Sequence, residues 1–134
     1  MAQALSLTAD QVKRYSSHII MPQVSSVGQR KLLGSKVLIV GAGGFGSPAA
    51  LYLTLAGVGT IGLVDFDTVD ITNLQRQILH QNSDIGKPKI QSAIETIKAY
   101  NPETVAIGHE EPLTSENAME IISGYDVVVN GADN

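Results

Sequence analysis

A doubly wound α/β domain built on a parallel sheet follows from three features of the sequence. Four short runs rich in Val and Ile alternate with helical stretches. A glycine turn, Gly41-Ala42-Gly43-Gly44-Phe45-Gly46, joins the first run to the helix after it. An acid, Asp65, closes the second run. Strand–helix alternation implies parallel strands with helices on both faces. A strand, a glycine turn and a helix in succession open a Rossmann-like nucleotide fold.

The elements follow in order. Thr8 and Asp10 offer N-cap chemistry before a short polar helix over 11–17. Ser25–Leu33 reads as a second helix that Gly34 ends. Lys36–Val40 is a buried strand by its apolar, β-branched content. A helix over 45–56 tolerates Pro48 in its first turn and ends at Gly57 or Gly59. Thr60–Val64 is the second strand, and 67–79 is irregular or briefly helical. Residues 87–100 form the clearest amphipathic helix. Ile90, Ala93, Ile94 and Ile97 share one face, Gly86 and Pro88 mark its start, and Asn101-Pro102 stops it. A strand over 105–108, a helix over 115–123 and a strand over 125–130 complete the series. Residues 1–34 are therefore expected to form a helical arm and 35–134 a nucleotide-binding domain. The last residues, Gly131-Ala132-Asp133-Asn134, directly follow the fourth strand, where such a domain normally continues into a covering helix. The sequence reads as the front part of something longer.

Composition narrows the function classes. The 134 residues suit one domain with a modest core, and 43% hydrophobic content supports a packed globule. A net charge of −4 without a Lys/Arg run argues against a nucleic-acid partner. The absence of cysteine removes disulfides, thiolate zinc sites and a cysteine nucleophile from this chain. No stretch approaches the ~18 apolar residues of a membrane span, and the amino terminus lacks an apolar core of signal-peptide length. A cytoplasmic setting is expected.

In Gly41-x-Gly43-x-x-Gly46 the first glycine permits the tight turn. The second lets the backbone approach a phosphate, and the third lets the helix pack closely. Free N–H groups at the helix start favour an anion. Asp65, 19 residues past Gly46, is placed to accept from ribose hydroxyls. No Gly-Lys-Ser/Thr follows the turn, which excludes a Walker A loop. On a helical turn Asn73 and Arg76 share a face and could reach one ligand. Lys89, in the first turn of its helix, opposes the helix dipole unless a polyphosphate sits there. Asp133, beyond the fourth strand, lies at the carboxyl ends of the strands, where ligands bind. An acid for ribose, cations for phosphates and an acid for Mg²⁺ suggest ATP used for chemistry at phosphorus. Gly44 and Asp67 are further nucleotide-side candidates; Asp70, His18, His80 and His109 receive no role. A nicotinamide-dependent Rossmann oxidoreductase and a non-catalytic protein that keeps the fold remain alternatives.

The stretch VLIVGAGGFGSPAALYLTLAGVGTIGLVDFDTVDITNLQRQILH, followed by IGKPK, resembles the ubiquitin-activating-enzyme-like adenylyltransferases, in particular the ThiF/MoeB/HesA group, over roughly 15–134. The resemblance implies adenylation of the C-terminal glycine carboxylate of a ubiquitin-fold sulphur-carrier protein, with ATP and Mg²⁺, by a homodimer. It implies that Gly41, Gly43 and Gly46 line the nucleotide and that Asp65 holds the ribose. Asn73, Arg76 and Lys89 would face the phosphates, and Asp133 would handle Mg²⁺. Two departures stand out. The group usually carries Arg-Tyr-x-Arg near the amino terminus, and here Ser17 replaces the second arginine, which reaches the neighbouring subunit's ATP. The group's second half, with its carrier groove and often a Cys-x-x-Cys zinc pair, is not in this sequence.

Overall fold

The computed structural model describes residues 6–132. Four strands form one parallel sheet: β1 (Lys36–Val40), β2 (Thr60–Val64), β3 (Val105–His109) and β4 (Val127–Asn130). Their order is β3-β2-β1-β4, the doubly wound order in which the chain reverses direction beside β1. Lys36 pairs with Thr60 and Val40 with Val64, while Val37 to Val40 pair with Val127 to Asn130. All four carboxyl ends therefore lie on one side.

Side chains alternate across the pleat. Val37, Ile39, Ile61 and Leu63 face α4 (Gly46–Ala56) and α5 (Lys89–Tyr100), packing with Ala50, Leu51, Leu79, Ile90, Ala93 and Ile97. Leu38, Val40 and Val64 face the other way, against Leu113, Ile121, Ile122 and Tyr125 around α6 (Ala118–Ile122). Both faces of β1 and β2 are covered, which explains why these strands read as apolar runs rather than alternating ones. The expected α/β architecture with helices on both faces is what the chain adopts.

The arm comprises α1 (Ala9–Arg14), α2 (Ser16–Ile19) and α3 (Ser25–Leu33). The single helix expected over 11–17 is two. Thr8 and Gln11 form a capping box that starts α1 early, and Tyr15 breaks the helix because its ring is drawn into the core. There its hydroxyl accepts from Asn101 Nδ2 at 2.8 Å. Gln29 donates to the Ala56 carbonyl at 3.0 Å, so the arm is fastened where α4 ends, away from the carboxyl edge of the sheet.

Other boundaries moved for local reasons. Pro88 occupies the N-cap of α5, so that helix starts at Lys89 rather than 87. Thr114 and Asn117 spend their side chains on neighbouring backbone N–H groups, delaying α6 to Ala118. The segment after β2 holds two 3-10 turns, Ile71–Asn73 and Asn82–Asp84. Among the described residues no helix is long and apolar enough to cross a membrane.

Gly57 terminates α4 with φ +96°, the left-handed conformation that favours glycine. Gly46 is constrained differently: a Cβ there would collide with the Gly41 carbonyl oxygen. Gly46→Ala is therefore expected to lower the unfolding free energy by about 3 kcal/mol. Gly34→Ala, whose Cβ would lie an ordinary 3.6 Å from the Arg30 carbonyl oxygen, should change it by less than about 0.5 kcal/mol. Urea unfolding of the two variants measures both; equal effects would show that the turn relaxes around a Cβ.

Candidate functional site

A cleft of about 850 Å³ opens at the carboxyl ends of β1, β2 and β4. Gly41, Gly43, Gly44, Asp65, Asp67 and Lys89 line it, so six of the candidate residues meet in one place although they span 49 positions. Gly41 leaves β1 with φ +91°. Ala42 is buried, and its N–H donates to Asp65 Oδ2 at 2.8 Å. Asp65 Oδ1 accepts from the Asp67 N–H at 2.8 Å. Asp65 thus first ties the end of β2 to the glycine turn, and each oxygen keeps a lone pair for a ligand. Gly46 lies beneath the turn, buried, as the first residue of α4.

Lys89 arrives by a fold-back of the chain. The Asp67 carbonyl accepts from the Lys89 N–H at 2.9 Å, Val69 N–H donates to the Lys87 carbonyl, and Thr68 bridges Pro88 in antiparallel fashion. That pairing brings Lys89 back beside Asp65 from 24 positions away. Lys89 is 7% exposed, yet among the described residues it has no ion-pair partner. Lys87, two residues earlier, is satisfied outside the cleft by Asp84 at 3.2 Å and Glu95 at 2.9 Å.

The remaining candidates are placed less directly. Arg76 is exposed; its Nη1 donates to the Thr72 carbonyl and to Gln75 Oε1. Its Nε lies 3.5 Å from where a Cβ on Gly44 would be, so the side chain lies over the glycine turn at the cleft's rim. Asn73 does not line the cleft. Its Oδ1 accepts from the Asp70 N–H at 2.9 Å, closing a capping box on the 3-10 turn. Asp133 lies outside the described residues. Among the described residues no group of three or more His, Asp or Glu converges as a metal cage.

Two polar residues not singled out in the sequence support the site. Gln77 is buried against the cleft wall, with its Nε2 3.6 Å from where a Cβ on Gly43 would be and its Oε1 without a hydrogen-bond partner among the described residues. His80 is buried under the turn, its Nε2 3.1 Å from the Ala42 carbonyl oxygen and its Nδ1 2.7 Å from Ser92 Oγ. A carbonyl only accepts, so Nε2 carries the hydrogen and Nδ1 of the neutral ring accepts from Ser92. The signal for both lay in Asn73-Leu74-Gln75-Arg76-Gln77-Ile78-Leu79-His80: apolar residues interleaved with polar ones mark a segment that turns into the core.

Burial lowers the His80 pKa from its ordinary 6.5, and Lys89 adds to this. The Ala42 carbonyl, Asp84 and Asp65 pull the other way without restoring it. A histidine with a depressed folded-state pKa binds fewer protons than the unfolded chain in the window below 6.5. Its contribution to stability is therefore full above that value and is lost as pH falls toward the folded pKa. The unfolding free energy should drop between pH 7.5 and 5.5, and His80→Gln should flatten that drop. Urea unfolding at the two pH values measures it; equal slopes in variant and wild type would contradict the assignment.

The chain is similar to several known proteins. The chain is 47% identical over 131 residues to the probable adenylyltransferase/sulfurtransferase MoeZ of Mycobacterium tuberculosis, covering 98% of this chain and 33% of that protein. It is 52% identical over 128 residues to the adenylyltransferase and sulfurtransferase uba4 of Aspergillus niger, covering 96% and 27%. It thus spans a third or less of the length of these relatives. The E. coli tRNA N6-threonylcarbamoyladenosine dehydratase TcdA, solved in complex with ATP, matches with a TM-score of 0.90 at 27% identity, covering 97% of this chain and 53% of that one. E. coli MccB with ATP matches with a TM-score of 0.81 at 30% identity, covering 90% and 38%. Residues 15–134 match the ThiF family. With the glycine turn, Asp65 and Lys89 held on a parallel sheet in the doubly wound order, the chain belongs to the ThiF family.

Proposed function

We propose that this chain is the ATP-binding part of an adenylyltransferase that activates the C-terminal glycine carboxylate of a ubiquitin-fold sulphur-carrier protein. The observation that carries the reading is Lys89, a cation in the first turn of a helix whose side chain lines the same cleft as the glycine turn. A cation at a helix N-terminus opposes the helix dipole. A polyphosphate reverses that sign, because it attracts the ammonium and the helix N-terminus together. A dinucleotide enzyme would need the glycine turn and Asp65 but would leave Lys89 unexplained.

In this reading Asp65 receives the ribose hydroxyls on its free lone pairs. The N–H groups of the glycine turn and Lys89 take the phosphates, and Arg76 closes over them from the rim above Gly44. In adenylation a carboxylate oxygen forms a bond to the α-phosphorus, the bond to the bridging oxygen breaks, and pyrophosphate leaves. The chain's part is to neutralise charge that builds on the leaving pyrophosphate and to hold the nucleotide in line. A Mg²⁺ ion held with Asp133, a homodimer and a cytoplasmic setting belong to the same proposal. Support for the carrier substrate comes from the relatives, which carry the names adenylyltransferase and sulfurtransferase. Ser17 sits exposed on α2 and brings no positive charge to a neighbouring subunit.

Calorimetric titration tests the reading. ATP with Mg²⁺ should bind more tightly than NAD, and the reverse order would contradict it. Asp65→Ala should weaken ATP and AMP alike, since ribose is common to both. Lys89→Ala should weaken ATP by about tenfold or more and AMP far less. Loss of AMP binding in equal measure in both variants would refute this division of ribose and phosphate contacts.

A further inference from the structure

The buried histidine under the glycine turn has a consequence for the cleft above it. The two peptide groups that flank Ala42 are fixed from opposite ends. Asp65 Oδ2 accepts from the Ala42 N–H at 2.8 Å, and His80 Nε2 donates to the Ala42 carbonyl at 3.1 Å. In a planar trans peptide the carbonyl and the following N–H point in opposite directions. Because the Ala42 carbonyl points down to a buried ring, the Gly43 N–H points up, and Gly43 lines the cleft. Among the described residues this N–H meets no acceptor. A backbone donor left unpaired at a cleft wall is a group waiting for a ligand oxygen.

The other end of the ring matters as well. His80 Nδ1 is held by Ser92 at 2.7 Å, and Ser92 lies on α5 three residues after Lys89. The imidazole therefore spans from the glycine turn to the first turn of the helix that carries the cleft's buried cation. We propose that His80 is a positioning residue of the nucleotide site: it aims the Gly43 N–H into the cleft and sets its distance from Lys89, so that a polyphosphate meets both. The proposal rests on the ATP reading. The charged groups around the ring are Asp65 and Asp84 on one side of the balance and Lys89 on the other. A neutral ring keeps Nε2 as donor to Ala42 and Nδ1 as acceptor from Ser92, which is the pairing the strut needs.

Two amide replacements separate the ring's two ends. In His80→Gln the side-chain NH₂ occupies the place of Nε2 and can still donate to the Ala42 carbonyl. In His80→Asn it occupies the place of Nδ1, and that carbonyl is left without a donor. ATP affinity by calorimetry should fall about tenfold in His80→Asn and stay within about threefold of wild type in His80→Gln. Urea midpoints should be similar in the two variants. Equal affinities in the two variants, whether both kept or both lost, would overturn the proposal, because a residue that merely fills the core would not distinguish them. A measurement on the wild-type protein stands apart from folding of the variants: the Gly43 amide resonance should shift on titration with inorganic tripolyphosphate and with ATP. A resonance that moves with neither overturns the inference. One that moves with tripolyphosphate while ATP fails to bind keeps the aimed amide and refutes the ATP reading instead.

Discussion

The structure depends on one steric constraint, the passage of the Gly41 carbonyl against Gly46. There is no room for a Cβ on Gly46, and Gly41 holds φ +91° to make the turn. Gly131, at the end of β4, packs against the same point; a Cβ there would lie 2.8 Å from the Gly46 nitrogen. Its own N–H donates to the Val40 carbonyl at 2.7 Å. Three backbones therefore converge where β1 meets α4. Only glycine permits that approach, and the approach places the start of α4 at the sheet's edge. Side chains are excluded at this crossing, so backbone of the glycine turn lines that part of the cleft.

A second layer of polar contacts holds the irregular segment after β2 against α4 and α5. The Leu79 N–H donates to Ser47 Oγ at 2.7 Å, and Thr96 Oγ1 donates to the Leu79 carbonyl at 2.6 Å. Each buried hydrogen bond adds on the order of 1 kcal/mol net, and leaving one of these groups unpaired would cost more than that. Segment, α4 and α5 are thus bonded to one another before any ligand arrives. Positions set this way need little reorganisation when a ligand binds.

How much of this was legible in the sequence depends on the range of the interaction. The strands, α4 and α5 could be read because their signals are local: β-branched runs, the Ile90–Ala93–Ile94–Ile97 face, and Gly57 as a terminator. The glycine turn was legible because close backbone approach leaves no alternative to glycine, and the position of Asp65 because it closes the neighbouring strand at the carboxyl edge of the sheet. His80 could not be read. Its partner Ala42 is 38 positions away, and a buried histidine looks the same in sequence whether it fills space or supports a turn. The break at Tyr15 was hidden for the same reason, since its cause is Asn101. Asn73 and Arg76 share a segment, but a local cap holds Asn73 while Arg76 lies over Gly44. Spacing alone does not register that competition.

In the proposed function this cleft holds the phosphates of ATP between the glycine turn and Lys89, with the ribose at Asp65. A crystal structure of the protein grown with Mg²⁺ and a non-hydrolysable ATP analogue tests it most directly. Phosphate oxygens are expected within hydrogen-bonding distance of both the Gly43 nitrogen and Lys89 Nζ, with the ribose hydroxyls on the Asp65 carboxylate. A nucleotide bound with its phosphates turned away from Lys89, or with its base beside Gly43 and Lys89, would refute that placement.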